Sequence, residues 1–198
     1  RSVMLVCEEN SISYTTGFEI NGEEIPFKSE KHFSLHPFGK FPVLIDGDLV
    51  LPETSSIWRY LVPQNQEKLN TTAKIARHDA FCALISIDID KALVRDYLLE
   101  FAFPKGEHNE VRVDVAKAAM ANVTAALNTI AEELAVGEVI GGNELTVADM
   151  LLAPMLAYLA NLPAEFNLLP DHPSILNYLT TLMSRPACQK VLKPAESF

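Results

Sequence analysis

The feature that most restricts this chain is a change of apolar rhythm near residue 70. From Ala73 onward the apolar residues recur at helical spacing, whereas short extended runs and short helical runs alternate before Pro63. In the first part, Arg1 to Asn10 carries Val3, Met4, Val6 and Cys7 on a helical face. Ser13 to Ile20 (Tyr14, Thr15, Thr16, Phe18, Ile20) has strand composition and is closed by Asn21-Gly22. Ser29 to Leu35 predicts a short helix stopped by Pro37 and Gly39. Val43-Leu44-Ile45 and Leu49-Val50-Leu51 flank Asp46-Gly47-Asp48, a tight-hairpin signal, and a helix follows from near Glu53 through Leu61.

The polar stretch 63–72 (PQNQEKLNTT) reads as a linker. Beyond it lie a long helical segment from Ala73 to Phe103, broken at Pro104-Lys105-Gly106, and a second from Glu110 to Leu134. After the loop at Gly141-Gly142 come helices over 146–160 and 173–184 and a terminal piece over 187–192. The order predicts an α/β part over 1–62, a linker over 63–72 and an all-α part over 73–198, packed together.

Charge and cysteine content narrow the function. A formal net charge of −10 argues against a nucleic-acid surface or an anionic membrane as partner. Cys7, Cys82 and Cys188 are widely spaced and odd in number, without a CxxC pair, which fits neither a disulfide framework nor a zinc ribbon and points to a reducing cytoplasm. The most apolar run, Met150 to Leu162, is too short to span a bilayer and contains Pro154. His32 and His36 have the i, i+4 spacing of a helical metal pair, but Pro37 ends that helix and a third ligand is not evident, so no metal is expected.

Two places carry possible chemistry. Pro42 leads into a strand, a position where proline is normally excluded from a sheet interior. A cis Phe41–Pro42 bond would turn the preceding backbone outward and leave the amide and carbonyl of Phe41 free to pair with an extended peptide. A proline that merely begins an edge strand is the plainer alternative. Glu53 and Thr54 stand where a strand passes into a helix, whose N-terminal amides suit a carboxylate while the Glu53 carboxylate suits an ammonium group. An ordinary helix cap is the alternative here.

Three blocks decide between these alternatives. His36-Pro37-Phe38-Gly39-Lys40-Phe41-Pro42-Val43-Leu44, the Asp46-Gly47-Asp48 hairpin and Glu53 to Leu61 together resemble the glutathione transferase pattern "NPFGKVPVL.DGD..L.ES.AI..YL". Leu145-Thr146-Val147-Ala148-Asp149 resembles the capping box of that family's helical domain. His172-Pro173 through Arg185-Pro186-Ala187 is similar to its "HP.L..Y...M..RPA" ending. The blocks stand in the family's order across nearly the whole chain.

The resemblance implies a thioredoxin-like glutathione-binding domain, incomplete at its start, followed by an all-helical domain. It implies a transferase that activates glutathione, a co-substrate rather than a bound cofactor, as a thiolate for attack on a small electrophilic or hydrophobic substrate. A cytoplasmic homodimer with a detoxifying role goes with it. Glu53 and Thr54 would hold the γ-glutamyl end, Phe41 and Pro42 the peptide backbone, and Lys40 and Lys28 the glycine carboxylate. His36 stands where the family usually has Asn, and it is left out of the site. Phe81, Tyr97 and Phe101 are candidate lining groups for the electrophile. Arg1-Ser2-Val3 is similar to the end of the family's "S-P-x-x-R-x-V", which places the thiolate-stabilising Ser, Tyr or Cys upstream of residue 1. The rival readings are a non-catalytic binding or assembly module and a glutathione-dependent thiol-disulfide or dehalogenating enzyme.

Overall fold

The computed structural model describes residues 1–20, 22–63 and 71–193; Asn21 and most of the predicted linker, 64–70, lie outside the described residues. Helix α1 (Ser2–Glu9) buries Leu5, Val6 and Cys7. Two short strands, β1 (Glu19–Ile20) and β2 (Glu23–Glu24), pair antiparallel. Helix α2 (Glu30–Leu35) starts at Ser29, whose hydroxyl accepts from the His32 amide, as expected of a serine cap.

The predicted hairpin forms from β3 (Val43–Asp46) and β4 (Leu49–Pro52) in the register Val43↔Pro52 to Asp46↔Leu49. Asp46 therefore faces Leu49 across a two-residue turn, and Gly47 takes a φ of +58° there. Helix α3 (Thr54–Leu61) follows at once and buries Ile57 and Trp58. The strand predicted over 13–20 is shorter than its composition promised. Only Glu19 and Ile20 pair, because residues 15–19 are exposed and present no half-buried face for a partner to cover.

The remainder is helical. Helix α4 (Thr72–Leu84) runs into a π-helical stretch, Ile85–Leu98, and closes as α5 (Leu99–Ala102). Two ion pairs within the π stretch, Asp90–Arg95 at 2.7 Å and Lys91–Asp96, each span five residues, the i→i+5 spacing of that helix. Helix α6 (Val113–Val136) ends on Gly137, whose φ of +69° is the left-handed conformation that terminates many helices. Helices α7 (Val147–Ala160), α8 (Pro173–Met183) and α9 (Pro186–Val191) complete the chain. The capping box predicted at Thr146 and Asp149 is present, and Asp149 also accepts from the Tyr178 hydroxyl at 2.6 Å and the Gly141 amide at 3.2 Å.

One core joins both parts of the chain. Leu5 and Val6 of α1 and Trp58 and Val62 at α3 pack into the same cluster as Ile85, Leu93, Ile130, Leu152, Leu156 and Leu179. Helix α9 also clasps α1, for Arg185 makes a bidentate pair with Glu9 at 2.8 and 2.7 Å and Lys190 meets Glu8 at 2.7 Å.

Candidate functional site

The open end of the β3–β4 hairpin gathers the predicted site residues. Val43 faces Pro52, so Pro42 and Glu53 flank that pair on its open side, and Thr54 begins α3 directly beyond. The Phe41–Pro42 peptide bond is cis. Among the described residues, neither the amide nor the carbonyl of Phe41 has a backbone hydrogen-bond partner.

Glu53 sits in the N-cap position of α3, and its carbonyl accepts from the Ile57 amide at 3.0 Å. Its backbone lies at φ +72°, ψ +122°, a region that side-chain-bearing residues rarely adopt and that costs of order 1–3 kcal/mol. The side chain is 74% exposed. Thr54 is half-buried, and the first-turn amides of α3 are those a helix leaves without intrahelical partners. A carboxylate acceptor beside free amides suits an α-amino acid group, which carries opposite charges on one carbon.

Two histidines support this end of the fold. His36 is 3% exposed; its Nδ1 accepts from the Phe38 amide at 3.1 Å, and its Nε2 lies 3.8 Å from Glu53 Oε1. His32 is 2% exposed, and its Nδ1 accepts from the Lys28 amide at 3.0 Å while its Nε2 lies 3.4 Å from the Lys40 carbonyl. Its ring stacks on Phe41 with centroids 4.6 Å apart and planes 18° from parallel. Phe27 and Phe18 complete the cluster on Phe41, at 5.6 and 5.2 Å.

Lys28 and Lys40 are exposed and lie over aromatic rings, Lys28 Nζ 5.4 Å from the centroid of Phe27 and Lys40 Nζ 5.9 Å from that of Phe38. The structure thus brings Lys28, Lys40 and Phe41 together around His32, and Glu53 beside His36. Weighing the histidines as a metal pair missed their role. His32 lies within α2, whereas His36 caps it with an extended backbone, so the two rings reach different partners.

Two of the three expected lining groups belong to the core. Phe81 and Tyr97 are core residues at 7% and 0% exposure, and the Tyr97 hydroxyl donates to the Phe166 carbonyl at 2.7 Å. Phe101 is half-buried against Tyr97 and Phe166, at 5.4 and 4.9 Å between rings. A cavity of about 300 Å³ lined by Trp58, His78, Val139, Leu145 and Thr146 shares no residue with the hairpin end. The three cysteines are buried thiols, and desolvation pushes Cys82 up to about 12 and Cys188 to about 11, so neither supplies a thiolate.

Residues 2–63 match the glutathione S-transferase N-terminal domain and residues 92–186 the glutathione S-transferase C-terminal domain. The chain belongs to the glutathione S-transferase superfamily. It is 24% identical over 199 residues to glutathione S-transferase F6 of Arabidopsis thaliana, covering 97% of this chain and 93% of that protein. A glutathione S-transferase 1 of Triticum aestivum is 26% identical over 184 residues, covering 84% and 77%. Among solved structures, the theta-class glutathione S-transferase of Xanthomonas axonopodis pv. citri with glutathione bound superposes with a TM-score of 0.78 at 23% identity, covering 99% of this chain and 92% of that one. Glutathione S-transferase I from maize, in complex with an atrazine glutathione conjugate, superposes with a TM-score of 0.79 over 96% and 90% at the same identity. The fold is that of a thioredoxin-like domain followed by the all-helical domain of this superfamily.

Proposed function

We propose that this protein is a glutathione transferase whose glutathione site is the open end of the β3–β4 hairpin. The observation that carries the reading is Glu53, held in a strained conformation at the head of α3 beside the Phe41 backbone. Glutathione would lie extended along Phe41 and Pro42, with its γ-glutamyl ammonium on Glu53 and its γ-glutamyl carboxylate at Thr54 and the α3 amides. Its glycine carboxylate would face Lys40 and Lys28. Glutathione is the co-substrate, and the reading requires no other cofactor.

The sulfur would react as a thiolate, forming a carbon–sulfur bond to a small electrophile as the leaving group departs or a proton is taken up. By family resemblance a Ser, Tyr or Cys side chain would stabilise this thiolate, and the same reading places the protein in the cytoplasm. We retain the division into a glutathione-binding part over 1–62, a linker over 63–72 and a helical part over 73–198. A homodimer would cover apolar side chains left in water, such as Phe38 at 75% and Ile87 at 65% exposure. The test is glutathione titration followed by conjugation of a chloroarene electrophile. Absence of conjugation despite tight glutathione binding would favour a binding module instead.

A further inference from the structure

We propose that His32 is a positioning residue of the glutathione site, holding the segments that bear Lys28, Lys40 and Phe41 in register. The inference rests on reading the hairpin end as a glutathione site. These three residues come from separate places: Lys28 precedes α2, whereas Lys40 and Phe41 follow it. Lys28 has a left-handed backbone, φ +59°, and Phe41 is 53% exposed, so neither is held by burial. What joins them is one buried imidazole.

The ring has a job on each edge and on its face. Nδ1 accepts from the Lys28 amide at 3.0 Å, so the ring proton resides on Nε2, directed at the Lys40 carbonyl 3.4 Å away. The face stacks on Phe41 at 4.6 Å. The ring is oriented from behind by α2 itself, because the His32 amide donates to Ser29 Oγ at 3.2 Å and its carbonyl accepts from the His36 amide at 3.0 Å. No other side chain among the described residues bonds both lysine segments. Both candidate partners for the glycine carboxylate therefore owe their backbone placement to His32, and their alignment before glutathione arrives saves ordering cost on binding.

Four variants and one spectrum test this in the full chain. H32F keeps the stacking and the burial but loses both ring hydrogen bonds. It is expected to raise KM for glutathione about tenfold while leaving kcat at saturating glutathione, and KM for the electrophile, unchanged. H32N, which places an acceptor near the Nδ1 position, is expected to recover most of that loss. Long-range 1H–15N correlation of the ring in the unliganded wild type is expected to show the neutral Nε2–H tautomer. An Nδ1–H ring, or H32F with an unchanged glutathione KM while E53A loses affinity, would overturn the inference and leave the site reading standing. A wild type with no affinity for glutathione would overturn both. Should H32F fail to fold, H32L decides, since leucine keeps an apolar side chain in the pocket but offers neither donor nor acceptor. A KM raised as for H32F sustains the proposal and an unchanged KM overturns it.

Discussion

His36 points its Nε2 at the carboxylate of Glu53 from 3.8 Å, while its Nδ1 is occupied by the Phe38 amide. The contact runs from a buried ring to an exposed side chain, so the histidine is the fixed member and the glutamate the adjustable one. His36→Ala removes a buried ring and the acceptor for an amide, and it is expected to cost about 1–3 kcal/mol. That is a fall of several degrees in Tm for a chain of this size. Thermal unfolding followed by circular dichroism checks it, and an unchanged Tm would show that the ring is not needed for the loop.

Glu53 is expected to oppose stability to binding. Glu53→Gly relieves the backbone at φ +72° and should raise stability by about 1 kcal/mol. Glu53→Ala and Glu53→Gly should each weaken glutathione binding by roughly 10- to 150-fold, the equivalent of about 1.5–3 kcal/mol for a lost charge-assisted bond. Calorimetric titration beside urea unfolding reads both quantities. A glycine variant that binds as tightly as the wild type would remove Glu53 from the site.

Glu100 should make stability depend on acid pH. Its carboxylate accepts from the Arg112 side chain at 2.9 and 2.6 Å and from the Arg112 amide at 3.1 Å, and these bonds lower its pKa from an ordinary 4.5 to about 2. A lowered folded-state pKa contributes stability that is complete above about 4.5 and is lost as pH falls through about 2. The stability difference between wild type and Glu100→Gln should therefore be constant from pH 8 to 5 and shrink between pH 5 and 2. Urea unfolding across that range is the measurement, and a gap that widens toward acid would contradict the assignment.

Asp149 is expected to be among the most sensitive positions in the helical part. Burial raises its pKa, while the Tyr178 hydroxyl and the amides of Thr146 and Gly141 favour its charged form. Asp149→Ala leaves these donors without their acceptor and should cost at least about 3 kcal/mol. Tyr178→Phe removes one bond and should cost about 1–2 kcal/mol. Equal losses from the two in urea denaturation would mean that the carboxylate matters only through Tyr178.

Most of the architecture was legible because its signals are local. The hairpin turn at Gly47, the helix begun after Glu53 and the capping box at Thr146 each depend on residues within a few positions of one another. The π-helical stretch was not legible, since Ile85, Ile89, Leu93 and Tyr97, all buried, recur at an interval of four that an α-helix also tolerates. Of the candidate site, the charged and proline positions were readable as residue types, but the buried groups around them were not. His32 bonds Lys28 and Lys40 by folding α2 back between them, a relation visible only once the loop is closed. Phe81 and Tyr97 misled because a helix core and a pocket wall draw on the same residues.

The clasp between α1 and α9 has a consequence for how the molecule comes apart. Glu9 and Arg185 are separated by almost the full chain yet share two hydrogen bonds, and the Arg1 side chain donates to the Lys193 carbonyl at 3.1 Å. These contacts tie α1 directly to α9 and the residues that follow it. Helix α1 lies in the segment that matches the N-terminal domain and α9 follows the helical domain, so neither part can open without releasing a piece of the other. The two should melt in one transition rather than in sequence, and the first local opening should expose the seam between α1 and α9 before it reaches the hairpin.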